Sequence, residues 1–157
     1  MKHSTFSKAL GKIVSGLYLV THELENKPVV MLASWVMQTS FDPPMISLCV
    51  GRDRAIREQM IPGRHFGLNV IGDQHKHLMK TAYASHPDPL KPFGDLPTQK
   101  SIHGCIMLTH ASAFLDCRVE RLISAGDHDL VLAELVDGQV LRDDRPMTHI
   151  RKNGLHY

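Results

Sequence analysis

The spacing of hydrophobic positions changes character along this chain, and the changes mark its elements. Phe6, Leu10, Ile13, Val14 and Leu17 recur at i, i+4, i+7, i+8 and i+11, which predicts a short amphipathic helix capped by Ser4 or Thr5 and ended by Ser15-Gly16. Leu17 to Thr21 reads as a strand, and polar Glu23 to Pro28 as a turn. Val29 to Val36 is apolar apart from Ser34, and Met45 to Val50 is apolar apart from Ser47; such short, partly β-branched runs predict buried strands. Between them lie Gln38, Thr39, Ser40 and the breaker Asp42-Pro43-Pro44. The prolines fix φ and carry no N–H, and Pro44 pushes Pro43 out of the helical region, so the segment predicts strand, polar bend, strand. That shape sets backbone amides and small hydroxyls beside an apolar wall, a setting for a flat amphipathic ligand with polar edges.

Gly51-Arg52-Asp53-Arg54 leads into Ala55, Ile56 and Met60 at helical spacing, with Pro62-Gly63 as the stop. Two arginines at a loop-to-helix start read equally as an anion site or as solvated surface charge. Phe66 to Ile71 predicts a strand, and Gln74 to Ala84 a helix with Leu78, Met79, Ala82 and Tyr83 on its apolar side. The proline-rich segment 85–99 has no periodicity and fits either a lid or a passive surface excursion. From Ala111 to Ile123 alternation places Ala111, Ala113, Leu115, Cys117 and Val119 on one face and Asp116, Arg118 and Glu120 on the other. A turn over Ser124 to Asp129, a strand over Leu130 to Val136 and an Asp137-Gly138 hairpin complete the pattern. Five or six strands joined mostly by turns, with two or three short helices and too few βαβ units for a doubly wound sheet, predict a mostly β antiparallel Greek-key barrel.

Composition narrows the class without changing this picture. With 157 residues the chain suits one domain over 1–157, and 43% hydrophobic with 22% charged residues is ordinary globular usage. No apolar run approaches the roughly 18 residues of a membrane span, and the N-terminus does not read as a signal peptide, so a cytoplasmic protein with no membrane partner is expected. A net charge of +2 without a basic run argues against nucleic acid. Cys49, Cys105 and Cys117 are odd in number and far apart, which disfavours a disulfide framework or a zinc ribbon. Among 11 histidines, His75-x-His77 has a spacing that on a helix turns the rings to different sides, so no metal is expected and the bland reading is solvated or capping histidines.

No GxSxG, SxxK or HExxH motif supplies a nucleophile or metal base, and no GxGxxG or P-loop supplies a nucleotide cradle. Chemistry without such groups fits a cofactor that carries the reaction itself. Gly126-Asp127-His128 can hold an imidazole over a bound ring, with Asp127 or Asp129 fixing its tautomer; turn capping by Asp127 is the structural alternative.

Taken in order, ALGKIVSGLYLVT, LASWVMQTSFDPPMISLCV, GRDRAI, FGLNVI, GDHDLVLAELVDGQVL and the tail HIRKNGLHY resemble the flavin reductase family of FMN-binding split barrels, over nearly the whole chain. Within it they are most similar to the flavin-reductase-like module at the C-terminal end of some flavodiiron proteins. The resemblance implies a six-stranded antiparallel Greek-key split barrel, a homodimer, that binds FMN, with FAD as the less favoured option, and reduces it with NADH or NADPH. By position, Ala33, Ser34, Trp35 and Val36 would line the isoalloxazine and Ser40 its polar edge. Cys49, Val50 and Gly51 would run toward the phosphate, met by Arg54 and Ala55. His128 would act on the nicotinamide side as the catalytic residue, and Tyr157 would contact the ring or the nicotinamide. Many relatives carry small hydroxyl residues where this chain has Asp53-Arg54-Ala55, which implies an ionic phosphate grip. No HxExD di-iron motif is present, so a protein electron acceptor would lie outside these residues. The alternatives are a non-enzymatic FMN module for electron transfer or dimerisation and, more distantly, an oxidase of the pyridoxamine-phosphate type.

Overall fold

The computed structural model describes residues 2–83 and 93–155. Helix α1 covers Lys2–Leu10, followed by β1 (Ser15–Gly16), β2 (Tyr18–Leu24), β3 (Lys27–Ala33), β4 (Val36–Phe41) and β5 (Pro44–Gly51). A 3-10 helix at Ala55–Gln59 leads to β6 (His65–Val70), then a second at Lys76–Met79 runs into α2 (Lys80–Tyr83). The remainder is β7 (Thr98–Lys100), β8 (Ile106–Leu108), β9 (Ala113–Ala125), β10 (His128–Val140) and β11 (Thr148–His149). The class is the expected one, mostly β and antiparallel, but the main sheet has seven strands, ordered β3-β2-β6-β9-β10-β5-β4. The additional strand arises because the Val29 to Val36 run breaks at Ser34–Trp35 into β3 and β4.

That break shapes the sheet. Laid flat, the outer strands β3 and β4 would stand roughly 29 Å apart at ordinary strand spacing. Only Ser34 and Trp35 connect them, and the three peptide steps involved span at most about 11 Å. The sheet therefore curls until its edges meet, and the two-residue link is the seam. The connection from β5 to β6 passes across β9 and β10, the crossing a Greek key requires.

Alternation along β2 sends Val20 and Leu19, both fully buried, into two different cores. Val20 joins Leu48, Phe66, Leu68, Val119 and Val131 inside the curl, and Leu19 joins Ile71, Leu78, Leu108 and Ala111 beneath the outer helices and β8. Buried Asn69 ties these layers together, donating to Leu19 O at 3.2 Å and accepting from Leu108 N at 2.8 Å.

Several local expectations change. Helix α1 ends at Gly11 and leaves Ile13 and Val14 exposed, because the tail crosses its end: Gly154 N donates to Ser7 O at 2.7 Å, and a Cβ on Gly11 would stand 2.6 Å from Arg151 O. Ser4 and Thr5 lie within the helix and not at its cap. The bend predicted over Gln38 to Pro44 shrinks to a tight turn at Asp42-Pro43, with a cis peptide, and Gln38 to Ser40 belong to β4. Asp137-Gly138 is not a hairpin: β10 continues through it with a register shift between Leu135 and Asp137. Gly138 is needed there for close approach, since its Cβ would lie 2.8 Å from Leu115 Cδ2 and 3.1 Å from Phe114 O. The real turn is Gly126-Asp127, with Gly126 at φ +67°, where a type II′ hairpin requires glycine.

Asp116, predicted to face solvent, is fully enclosed, because β9 is covered on both faces. It accepts from Ser101 Oγ at 2.5 Å, His65 Nδ1 at 2.8 Å and His103 Nδ1 at 3.1 Å. Burial alone would raise its pKa, but these donors together hold it below the ordinary carboxylate value. The helix expected from Gln74 begins only at Lys76, and His75 stands outside it at φ −117°, ψ 36°. The His75 and His77 rings consequently do not diverge; their centroids are 5.5 Å apart. Most of the 85–99 loop and Tyr157 lie outside the described residues.

Candidate functional site

A cleft of about 340 Å³ opens along the seam. Its floor is Ala33, Ser34 and Trp35 of the link, with Met31 of β3 beside them; Cys49 and Gly51 close one side, and Arg54, Ala55 and Ile56 close the end. Cys49 N donates to Trp35 O at 3.0 Å, so the β4–β5 pairing extends one step into the link.

Period-two alternation decides which expected residues reach the cleft. Gly51 pairs with His128, and Cys49 with Leu130, on one face of the β5–β10 ladder; Val50 pairs with Asp129 on the other. The Val50 side chain therefore points away from the face that Cys49 and Gly51 share. Val50 is fully buried in the inner core, and Val36, paired with Leu48, packs against the same core. Ser40 sits near the far end of β4, opposite Met45, and does not line the cleft. Ala33, Ser34, Trp35, Cys49, Gly51, Arg54 and Ala55 do line it together.

His128 stands at the rim. Its ring centroid is 5.0 Å from that of Trp35, tilted 47°. Its Nδ1–H donates to Asp127 Oδ1 at 2.7 Å, which sets the tautomer and turns Nε2 into an acceptor in the neutral ring. That hydrogen bond, ahead of the imidazole's charge, lowers the Asp127 pKa. Gly51 keeps the space between open: a Cβ there would come within 2.8 Å of Asp53 Oδ1 and 3.7 Å of His128 Nε2.

The arginines after β5 divide their work. Arg57 Nε donates to Asp129 Oδ2 at 2.7 Å, and Arg52 Nε donates to Asp129 Oδ1 at 3.1 Å while its other end reaches Ser124. The Arg57 bond leads in lowering the Asp129 pKa, against burial, and Arg52 adds to it. Arg54 makes no hydrogen bond or ion pair through its guanidinium among the described residues, and it faces the cleft. The two arginines of the sequence's even choice differ in position: Arg52 is committed to Asp129 and Ser124, and Arg54 lines the cleft. Burial raises the Cys49 thiol, which keeps it protonated and unsuited to nucleophilic attack.

Three contributors came from segments far from the seam in sequence. His149 and Ala82 line the cleft, and the Arg151 guanidinium lies 5.0 Å from the Trp35 ring centroid, a cation–π contact. No local motif marks them; the packing of α2 brings Ala82 there, and the return of the tail brings His149 and Arg151.

With this geometry in place, comparison with known proteins is informative. Residues 10–154 match the flavin reductase like domain. Diflavin flavoprotein A 1 of Synechocystis sp. is 35% identical over 156 residues, 98% of this chain and 27% of that protein. A diflavin flavoprotein of Nostoc sp. is 38% identical over 152 residues, 96% of this chain and 27% of that protein. Among solved structures, the NADH:FAD oxidoreductase SgcE6 of Streptomyces globisporus superimposes with a TM-score of 0.82 at 23% identity, over 95% of this chain and 88% of that one. Its complex with NAD and FAD fragments gives 0.82 at 22% identity, over 96% and 88%. This chain spans about a quarter of the length of the curated relatives it matches. The match over residues 10–154 and the identity to those relatives establish that the chain belongs to the flavin reductase like domain family.

Proposed function

We propose that the protein is an NAD(P)H-dependent flavin reductase that holds FMN in the seam cleft, with FAD as the less favoured flavin. The observation that carries this reading is the cleft itself: an apolar floor, an open glycine at Gly51, and at one end the cation Arg54, unpaired among the described residues. Those features match a flat ring with an anionic tail, and the volume lies in the range of small-molecule sites. Bound there, FMN would supply the hydride-accepting N5 and pass electrons on to a flavin or protein acceptor.

The chain's residues would do the rest. Ala33, Ser34 and Trp35 would set the ring plane, Cys49 and Gly51 would let it approach the β5 backbone, and Arg54 would hold the phosphate. His128, oriented by Asp127, would position the nicotinamide at the rim, and Tyr157 would contact the ring. Ser40, Val36 and Val50 would act through the strands they belong to and not by direct contact. A homodimer would cover the cleft; sedimentation of the FMN-loaded protein tests this.

Protein purified with FMN should be yellow and should bleach on anaerobic addition of NADH or NADPH. Colour that persists with both would end the reductase reading. A second reading, an FMN module that only relays electrons, draws on the chain's matching about a quarter of the length of the diflavin flavoproteins. It expects FMN binding without direct oxidation of either pyridine nucleotide.

A further inference from the structure

His75, His77 and His110 meet away from the seam cleft. Their ring centroids are 5.5, 5.7 and 5.9 Å apart, and one ring nitrogen from each lies within 4.8 Å of the others. His77 is exposed, and the other two are half-buried. The Nδ1 atoms of His75 and His110 are shut off from solvent and have no hydrogen-bond partner among the described residues. Buried ring nitrogens are normally satisfied, so two orphans in one cluster are not explained by hydrogen bonds among the described residues.

The backbone beneath the cluster is firmly placed. Leu78, next to His77, and Leu108 and Ala111, which flank the His110 turn, are all fully buried in one core. Leu78 N donates to His75 O at 3.0 Å, and Ala111 N donates to Leu108 O at 2.9 Å. Two segments more than 30 residues apart thus present imidazoles to one point.

The second imidazole cluster behaves differently. His65 and His103 stack at 4.2 Å, and each Nδ1 already donates to Asp116, so hydrogen bonds account for that arrangement. Nothing comparable accounts for the first.

We propose that His75, His77 and His110 form a Zn²⁺ site, with three imidazole ligands and a fourth position open to water, whose ion staples the Gly72 to Met79 segment to the β8–β9 turn. A tetrahedral ion about 2.0–2.1 Å from each nitrogen holds them roughly 3.4 Å apart, so small ring rotations close the observed spacing. Neutral imidazole suits zinc, and the absence of thiolate or carboxylate from the set leaves the ion its full charge.

The test uses tag-free protein, freed of metal with chelator and titrated with Zn²⁺ by calorimetry and elemental analysis. One Zn²⁺ per chain with micromolar or tighter Kd is expected. His110→Ala and His77→Ala should each weaken it at least tenfold, and His103→Ala should leave it unchanged. Zn²⁺ at about 100 times the wild-type Kd should raise the unfolding midpoint by roughly 5–10 °C in the wild type and in His103→Ala, and by less in His110→Ala and His77→Ala. His77 is exposed, so its variant keeps the test open if His110→Ala fails to fold. No binding by the wild type, equal binding by His77→Ala, or a loss confined to His103→Ala would overturn the proposal.

Discussion

If Arg54 holds the flavin phosphate, Arg54→Ala should cost affinity for FMN but not for riboflavin, which has the same ring and no phosphate. The guanidinium faces the cleft with no ion pair or hydrogen bond among the described residues, so its removal breaks nothing else in the fold. A charge-assisted hydrogen bond is worth about 1.5–3 kcal/mol, which converts to a roughly 10- to 150-fold rise in Kd for FMN. Flavin fluorescence titrations of wild type and variant with both ligands form a four-corner cycle in which the FMN-specific loss is isolated. Raising the salt should shrink the wild-type preference for FMN and leave the variant's nearly flat. Arg52→Ala is the matched comparison: that guanidinium is already committed to Asp129 and Ser124, so the FMN preference should survive. An equal loss for FMN and riboflavin would place Arg54 at the ring instead, and unchanged affinity for both would leave it a surface charge.

Two further perturbations separate chemistry from scaffold. His128→Ala should slow anaerobic flavin reduction roughly tenfold or more while changing FMN affinity little, since its ring stands at the rim beside Trp35; equal reduction rates in stopped flow would reduce the Gly126-Asp127-His128 turn to a structural role. Asp116→Asn should destabilise the fold by roughly 1.5–3 kcal/mol at pH 7, because the carboxylate accepts from Ser101, His65 and His103 with Cys105 Sγ 3.6 Å away. Its folded pKa is depressed, so this stabilisation is complete above the unfolded value of about 3.9 and is lost as pH falls through the folded pKa. Urea unfolding at pH 7 and pH 3 should therefore show the gap narrowing in acid, and an equal gap at both would contradict the assignment.

The class of the fold was legible because strand runs of period two are local. The strand count was not, since Val29 to Val36 is a nearly continuous apolar run whose break at Ser34–Trp35 comes from sheet closure and not from any breaker residue. Asp137-Gly138 misled for the opposite reason: its local turn preference yields to 13-residue pairing along β9, and the glycine instead admits the Leu115 side chain. Asp116 fits the polar side of an alternating strand until His65 of β6 and Ser101 and His103 of the β7–β8 connection enclose it. Within the site, the sequence order groups Ala33 to Val36 and Cys49 to Gly51, but only the pleat shows that Val36 and Val50 turn to the inner core while Ala33, Ser34, Trp35, Cys49 and Gly51 line the cleft.

The seam also explains why the cleft lies where it does. A closed sheet hides its edges by pairing them, but a two-residue link between β3 and β4 brings the edges together without a ladder between them. On the β4 side the ladder to β5 runs one step into the link, where Cys49 N donates to Trp35 O at 3.0 Å. The rest of the gap stays open, floored by apolar Ala33 and Trp35 and ended by Arg54. Filling it from within would require lengthening the link or pairing β3 to β4, and either change would flatten or shut the site. The shortness of Ser34–Trp35 is thus the feature on which closure of the barrel and opening of the cleft both depend.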